Sequence, residues 1–495
     1  MNKLNSLLFQ VDAISLLPEI FLALAFLVIL IYGSFQVVRA VQLYTYITPS
    51  VARLTLVTLG LSICLVYNNP VVHQIIWNAT FVVDNVGNTI KVIVLCSVLF
   101  CTLVAEEYLF LSRIRPYEIF VFLVGIALSL CLLVSSYDLL SIYLSVEFLS
   151  LIFYTLAAWK RDSGFSAEAG LKYFILGSLA SVFFLFGSSL VYLVTGTTNL
   201  GSLAILLENL SSWSVILCVG FICLLSAFLF KLGAAPYHMW VADVYEGAPT
   251  LVSLLFAAVP KFALVVVILR LTVIGSWSLF PSVWESVFFS CGLLSLFFGC
   301  LGGLGEIKLK RVLAYSGIGH VGFLCFGVGC GSLEGLHSVF FYLGFYTLTS
   351  IYMWTYLLSL SPIKKNFVSI VDSVGLVQSN PILGFLTCLM LFSLAGIPPF
   401  GGFFAKMLVF ISLIDGSFYL LAIFAVFTSA ISAFYYLRLI KILYFEKPST
   451  WLLFDSVSRS SAFVLVGTSF LVLFFICSPN FFYLLSYKLG LTLFI

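Results

Sequence analysis

Seven ionisable residues stand inside apolar stretches of this chain, where a charge is costly: Glu147, Lys172, Lys231, His238, Lys261, His320 and Lys406. A charge at the centre of a bilayer costs roughly 2.5–3.5 kcal/mol on insertion scales. Five such groups besides the two histidines would cost on the order of 10 kcal/mol without partners or water. Snorkelling relieves Lys172, which opens its segment, but not Lys231, Lys261 or Lys406. Desolvation brings a buried ammonium into a range where it can release a proton, and a nearby carboxylate restores the charged form. Switching a pair such as Glu147–Lys231 on and off would therefore gate a row of lysines joined by water. The chemistry these residues suit is proton relay. Metal binding fits poorly, because hard cations want several oxygen ligands and the buried charges are mostly lysines.

The elements that position these residues follow from composition. Of 495 residues, 62% are apolar and only 9% charged, with a mean hydropathy of +1.19. A soluble domain carries about 25% charged residues, so there are too few here for a polar skin. A helix needs about 20 apolar residues to cross the hydrocarbon. Fourteen segments qualify, near 15–37, 52–68, 89–111, 117–136, 138–158, 171–195, 213–246, 250–273, 283–304, 312–330, 335–360, 382–414, 417–443 and 461–485. Basic residues check the count. Odd-numbered connections hold fifteen Lys and Arg, including Arg113, Arg115, Lys308, Lys310, Arg311, Lys364 and Lys365. Even connections and the termini hold four: Lys3, Lys91, Arg270 and Lys488. That bias places the odd connections on the cytoplasmic or matrix side and both termini on the other. The connection between segments seven and eight is acidic instead, with Asp243 and Glu246.

Segments seven and twelve share an interruption: Phe230-Lys231-Leu232 before Pro236, and Phe392-Ser393-Leu394 before Pro398-Pro399. Proline removes a backbone donor, so both helices should break within the membrane. The two lie five segments apart, an odd number, and so enter the membrane from opposite sides. Inverted repeats with matching broken helices mark transporters. The expected organisation is residues 1–116 for segments one to three, 117–280 and 281–445 for two inverted five-helix repeats, and 446–495 for the last segment.

Other chemistries are weakly represented. Gly317-Ile318-Gly319-His320-Val321-Gly322 satisfies G-x-G-x-x-G, but lies in an apolar helix with no strand before it. Its glycines are expected to serve close helix packing. The twelve cysteines form no C-x-x-C pair and read as small buried hydrophobes. The N-terminal stretch lacks the Arg- and Ser-rich character of an organellar presequence, which points to synthesis beside the membrane the chain enters.

Five stretches together resemble one family: YDLLSIYLSVEF (137–148), EAGLKYFILGSLAS (168–181), FLFKLGAAPYHMWVADVYEGAPT (228–250), KRVLAYSGIGHVGF (310–323) and FSLAGIPPFGGFFAKMLVF (392–410). It is the family of antiporter-like membrane subunits of proton-pumping NADH:quinone oxidoreductase, respiratory complex I. The turn ADVYEGAPT resembles its subunit 2 branch, called subunit N in bacteria, and the likeness is greatest to mitochondrion-encoded forms. Ala242 and Leu251 depart from a pattern that often has proline there, which touches loop geometry only.

The resemblance implies a fourteen-helix antiporter-like fold without a cofactor of its own. The parent complex would use NADH, FMN, iron–sulfur clusters and ubiquinone, and redox chemistry in neighbouring subunits would drive proton translocation here. It makes Glu147 the glutamate of helix five with Lys172 as its basic partner, and Lys231, Lys261 and Lys406 the lysines of helices seven, eight and twelve. His238 falls on the family's hydrophilic axis, and His320 is a further candidate. Implied partners are other membrane-arm subunits, accessory subunits, lipids, protons and internal waters, with no nucleic acid. The implied location is the mitochondrial inner membrane with both termini on the intermembrane-space side, or the plasma membrane in a bacterium. A subunit of a multisubunit cation/proton antiporter of the same fold is the alternative.

Overall fold

A computed structural model describes residues 12–39, 44–70, 73–111, 117–208, 215–273, 281–360, 369–447 and 456–494. The basic residues Lys3, Arg113, Arg115, Lys364 and Lys365 of the orientation tally lie outside them. Helices occupy all fourteen expected segments. Among the described residues, twelve are long and apolar enough to cross a membrane on those two criteria. The remaining two segments are Leu333–Ser359, rich in Tyr, Thr and Ser, and the twelfth, which is divided into Pro381–Ala395 and Gly401–Asp415. Large apolar side chains on outward faces, such as Phe174, Ile175 and Val182 of Gly164–Thr195, suit lipid or other subunits rather than water.

Both expected breaks are present. Val215–Leu232 stops and the chain resumes as Met239–Gly247, while Pro381–Ala395 stops and resumes as Gly401–Asp415. Each first half ends on a left-handed glycine, Gly233 (φ +78°) or Gly396 (φ +80°), a conformation that penalises a side chain. Each end is closed by the same pair of backbone bonds. Gly233 N–H donates to Phe230 and Ala234 N–H to Leu229, while Gly396 N–H donates to Ser393 and Ile397 N–H to Phe392. This is a Schellman closure. Cis bonds follow at Ala235-Pro236 and Pro398-Pro399. Every matched pair lies 163 positions apart (233 and 396, 234 and 397, 229 and 392). The Phe-x-Leu letters suggest a shift of 162, so the backbone register differs from the letters by one residue. The backbone answers to where the glycine permits a reversal, not to which apolar side chains precede it.

Three boundaries differ from expectation. Segment eight is two helices, Thr250–Ala258 and Pro260–Val273, because Pro260 has no N–H to continue the ladder and starts a new helix readily. Segment fourteen ends at Cys477, and a separate helix, Pro479–Phe494, follows by the same logic. Between segments two and three lies a short antiparallel hairpin, Gln74–Ile76 with Phe81–Val83, that alternation over three residues is too brief to reveal.

By contact the chain forms two compact units. The first holds residues 1–156, 181–225 and 259–276. Its centre is Glu118–Ser135, buried along most of its length and packed by Leu17–Arg39, Asn85–Leu111 and Pro260–Val273. The hairpin is pinned at one end of this unit, where Tyr137 N–H donates to Thr80 at 2.9 Å and the Asn199 amide to Ala79.

The second unit holds residues 157–180, 226–258 and 277–495. Its centre is Leu309–Gly329 with Leu333–Ser359, whose N-cap Ser332 accepts from Gly335 N–H at 3.1 Å. Pro281–Gly305 packs extensively on Leu309–Gly329. A Cβ on Gly299 would lie 2.6 Å from the Gly319 nitrogen, and one on Gly322 would lie 2.5 Å from Ser295 Oγ. The glycine-rich run around His320 is thus a close helix contact, as small residues allow in membranes.

Candidate functional site

The second unit gathers most of the expected residues. Lys406, 5% exposed, lies in the second turn of Gly401–Asp415. Its Nζ donates to the Ala395 carbonyl at 2.8 Å, and the Phe323 ring centroid lies 5.7 Å away. Ala395 ends the first half of the broken helix, so the ammonium meets the negative pole of that helix. The turn leaves room for it because Gly396 has no side chain: a Cβ there would lie 2.9 Å from Lys406 Cδ. His320 is buried nearby. Its Nδ1 lies 2.7 Å from the Tyr342 hydroxyl and its Nε2 3.2 Å from that of Tyr436. Two small cavities, about 10 and 20 Å³, are each lined by both His320 and Lys406. Each has about the space of a single water.

The other break carries Lys231 and His238. Lys231 is half-buried in the last turn of Val215–Leu232, two residues before Gly233. The Trp240 indole N–H donates to the Phe230 carbonyl at 3.1 Å, a second donor beside Gly233 N–H at the end of the helix. The indole is walled by Tyr173, Phe230, Tyr245 and Phe256. His238 is buried and stacks on Phe298 at 4.9 Å.

Lys172 is placed differently from expectation. Its side chain is 42% exposed, and its carboxylate partners are Glu168 at 2.7 Å and Asp243 at 2.8 Å. Arg311 continues the cluster, reaching Asp243 at 3.1 Å, Glu306 at 3.4 Å and Glu246, which Lys308 also binds. Lys310 donates to the Ala248 carbonyl at 3.0 Å, capping the half-helix Met239–Gly247. A cavity of about 170 Å³ opens among these charges. Glu246 lies beyond the apolar spans Val215–Leu232 and Thr250–Thr272, next to the seven–eight connection. Burial would lift its carboxyl, but hydrogen bonds from Lys308 and Arg311 outweigh this and hold it below the usual carboxylate range. The acidic connection is thus matched with the basic one between segments nine and ten.

Glu147 and Lys261 belong to the first unit. Glu147 is half-buried, and one carboxylate oxygen accepts from Ser150 Oγ at 3.2 Å. Lys261 is 4% exposed, in the first turn after Pro260. This unit also holds two ion pairs that the sequence reading missed. Lys91 and Glu19, each 3% exposed, lie 2.5 Å apart. Arg270, 1% exposed, takes both oxygens of Asp84 at 2.7 and 2.8 Å and donates to the Val134 carbonyl at 2.5 Å. Lys91 and Arg270, assigned to connections from the sequence, lie instead within the helices Asn85–Leu111 and Pro260–Val273. Glu19 within segment one was the available signal.

Among the described residues, no group of three or more His, Cys, Asp or Glu could hold a metal ion.

Comparison with known proteins gives this arrangement a context. A family model described as NADH:quinone oxidoreductase/Mrp antiporter, TM, matches residues 136–432. The NADH-ubiquinone oxidoreductase chain 2 of Marchantia polymorpha is 36% identical, over 98% of this chain and 100% of that protein. The NADH-quinone oxidoreductase subunit N of Pelagibacter ubique (strain HTCC1062) is also 36% identical, over 87% of this chain and 89% of its own length. A chain of respiratory complex I from Thermus thermophilus superposes with a TM-score of 0.78 at 27% identity, covering 94% of this chain and 98% of its own. A chain of the Mrp complex from Dietzia sp. DQ12-45-1b gives 0.82 at 20% identity, over 98% of both chains, a likeness of fold alone.

Proposed function

Because the chain belongs to the NADH:quinone oxidoreductase/Mrp antiporter family of membrane subunits, we propose that it moves protons through Glu147, Lys172, Lys231, His238, Lys261, His320 and Lys406. It is a proton-translocating subunit of respiratory complex I and part of an H⁺-translocating NADH:ubiquinone oxidoreductase. Oxidation of NADH and reduction of ubiquinone occur elsewhere in that complex, and this chain supplies no redox group. Full-length identity of 36% to a NADH-ubiquinone oxidoreductase chain 2 favours this over an Mrp-type antiporter, to which the likeness is one of fold.

The observation that carries the relay is the buried Lys406 ammonium on the Ala395 carbonyl, where a helix stops inside the membrane. One carbonyl leaves two of its three N–H groups for water. A lysine that served only as a fixture would be better replaced by an apolar side chain. Lys231 before its break and Lys261 after Pro260 repeat the motif of an ammonium beside an interrupted helix. Lys172, bound by Glu168 and Asp243, exchanges protons between that relay and the charged cavity.

The expected setting is the mitochondrial inner membrane, with both termini on the intermembrane-space side and the basic connections in the matrix, or a bacterial plasma membrane. The basic-residue bias supports this orientation. Other membrane-arm subunits, accessory subunits and lipids would cover the apolar outer faces, and the two inverted repeats would span 117–280 and 281–445.

Lys231→Arg tests the relay against a fixed-charge role. Guanidinium keeps the charge but does not release a proton in the accessible range. NADH:quinone turnover and proton pumping, measured in membranes with verified complex content, should fall nearly as far as in Lys231→Ala. Pumping at the normal rate by the Arg variant would end the relay reading for that position.

A further inference from the structure

Three observations converge on the space between His320 and Lys406. The first is that both ring nitrogens of His320 meet phenolic hydroxyls, Tyr342 at 2.7 Å and Tyr436 at 3.2 Å. A neutral imidazole has one N–H and one bare nitrogen, so one tyrosine donates to the ring while the other accepts from it. The second is that the two water-sized cavities share His320 and Lys406, and the larger one also reaches Tyr342 and Ser393.

The third concerns Ser393, 1% exposed in the last turn of Pro381–Ala395. Buried hydroxyls in these helices commonly return to a carbonyl three or four residues back, as Ser316 does to Leu313, Thr387 to Gly384 and Ser412 to Val409. Among the described residues Ser393 Oγ has no hydrogen-bond partner, and it lines the larger cavity. A buried hydroxyl left unpaired is costly, and the ordinary remedy is a bound water.

We infer that Ser393 holds a water that joins the Tyr342–His320 pair to the Lys406 ammonium, which makes Ser393 a positioning residue for proton transfer in this half of the chain. The inference rests on the relay reading of Lys406. Lys406 spends one N–H on Ala395 and turns another to this water. When Lys406 releases a proton, the water takes it and hands one of its own to the Tyr342 oxygen. Tyr342 passes its hydroxyl proton to Nδ1, and the ring releases the proton on Nε2 to Tyr436, which gives up its own hydroxyl proton to water in the smaller cavity that it lines. Each intermediate group gains one proton and loses one, so a single proton moves from Lys406 to the Tyr436 side. Rotation of the hydroxyls and transfer of the ring proton from Nδ1 back to Nε2 reset the path.

The test uses the assembled complex in its membrane, with Ser393→Ala, Ser393→Thr and Lys406→Ala compared for complex content, turnover and protons pumped per NADH across a pH series. Ser393→Ala should assemble normally, lower pumping several-fold and displace the pH profile, and Ser393→Thr, which keeps the hydroxyl, should recover most of the loss. If Lys406→Ala is impaired while Ser393→Ala keeps normal pumping and pH profile, the water bridge is overturned and the relay stands. If both are normal, the relay falls with it. A high-resolution map of the unmodified complex decides the matter independently of any variant. An ordered water within hydrogen-bond reach of Ser393 Oγ supports the bridge, and a dry cavity there overturns it.

Discussion

Lys406 Nζ donates to the Ala395 carbonyl at 2.8 Å, so a buried cation rests on the open C-terminal pole of a helix that stops within the membrane. The bond ties the two halves of segment twelve together across their own break. Lys406→Ala removes both the tie and the proposed proton carrier. The complex should still assemble, because alanine is easier to bury than an ammonium. NADH-driven pumping should fall by about two orders of magnitude, the usual scale for losing a positioned proton-transfer group. Lys406→Arg, which keeps a donor for the Ala395 carbonyl, should restore the thermal stability lost with the tie without restoring pumping. Acidification of vesicles followed with a pH-sensitive dye checks both.

The breaks themselves depend on glycines. A Cβ on Gly402 would collide with the Ser393 carbonyl, and one on Gly396 would be forced to φ +80° beside Lys406. Gly402→Ala should cost about 1–3 kcal/mol by overpacking, and Gly396→Ala about 1–2 kcal/mol from the left-handed backbone alone. Gly467, with open space around its Cβ position, is the control. Complex content on native gels should drop for the first two and hold for Gly467→Ala.

Arg311 joins three carboxylates, Asp243, Glu246 and Glu306. Arg311→Ala should release the half-helix Met239–Gly247, seen as faster amide exchange there and not in Leu333–Ser359. Arg311→Lys should recover only part, since an ammonium lacks the planar fork that reaches several acids at once. The pH dependence has a definite sign. Glu246 is held below the ordinary carboxylate range, so its contribution is complete above the unfolded value and is lost as pH falls through the lower, folded one. Exchange in this helix should therefore stay slow at neutral pH and quicken only in acid below the normal glutamate range.

The Glu19–Lys91 pair, each side chain 3% exposed, offers a double-mutant cycle. Removing one partner strands a buried charge, at a cost of about 3–5 kcal/mol. Glu19→Gln and Lys91→Met should each lower the unfolding temperature and yield of the complex. The double variant should recover much of the loss, because neither charge is left unpaired. Additive losses in thermal melts would show that the two side chains act separately.

Much of this was legible in the sequence. Apolar length gave the fourteen helices, and Pro236 and Pro398-Pro399 marked the breaks because proline and glycine act locally on the backbone. The positions of Lys231, Lys261 and Lys406 stood out because charge in an apolar run is conspicuous. Pairing was not legible. Arg270 and Asp84 are 186 residues apart, and nothing in either neighbourhood announces the other. Lys172 opens an apolar helix, and nothing near it in sequence announces that its acidic partners include the distant Asp243. Ser393, Tyr342 and Tyr436 carry no charge and are common in membrane helices, so only their placement around His320 distinguishes them.

The shared closure at Gly233 and Gly396 also works as a ruler. Counted from the glycines, the tenth residue after the first break is Asp243 and the tenth after the second is Lys406. One site belongs to the surface cluster and the other to the interior, and they carry opposite signs. For anyone building chimaeras from the two interrupted segments, the choice of splice point then becomes decisive. A join made at the glycines trades an acid for a base at the same step. A join made at the Phe-x-Leu letters slips the second half by one residue, about 100° around a helix. That slip would turn the lysine's face away from His320 and leave a hybrid with the right composition and its buried cation pointing the wrong way.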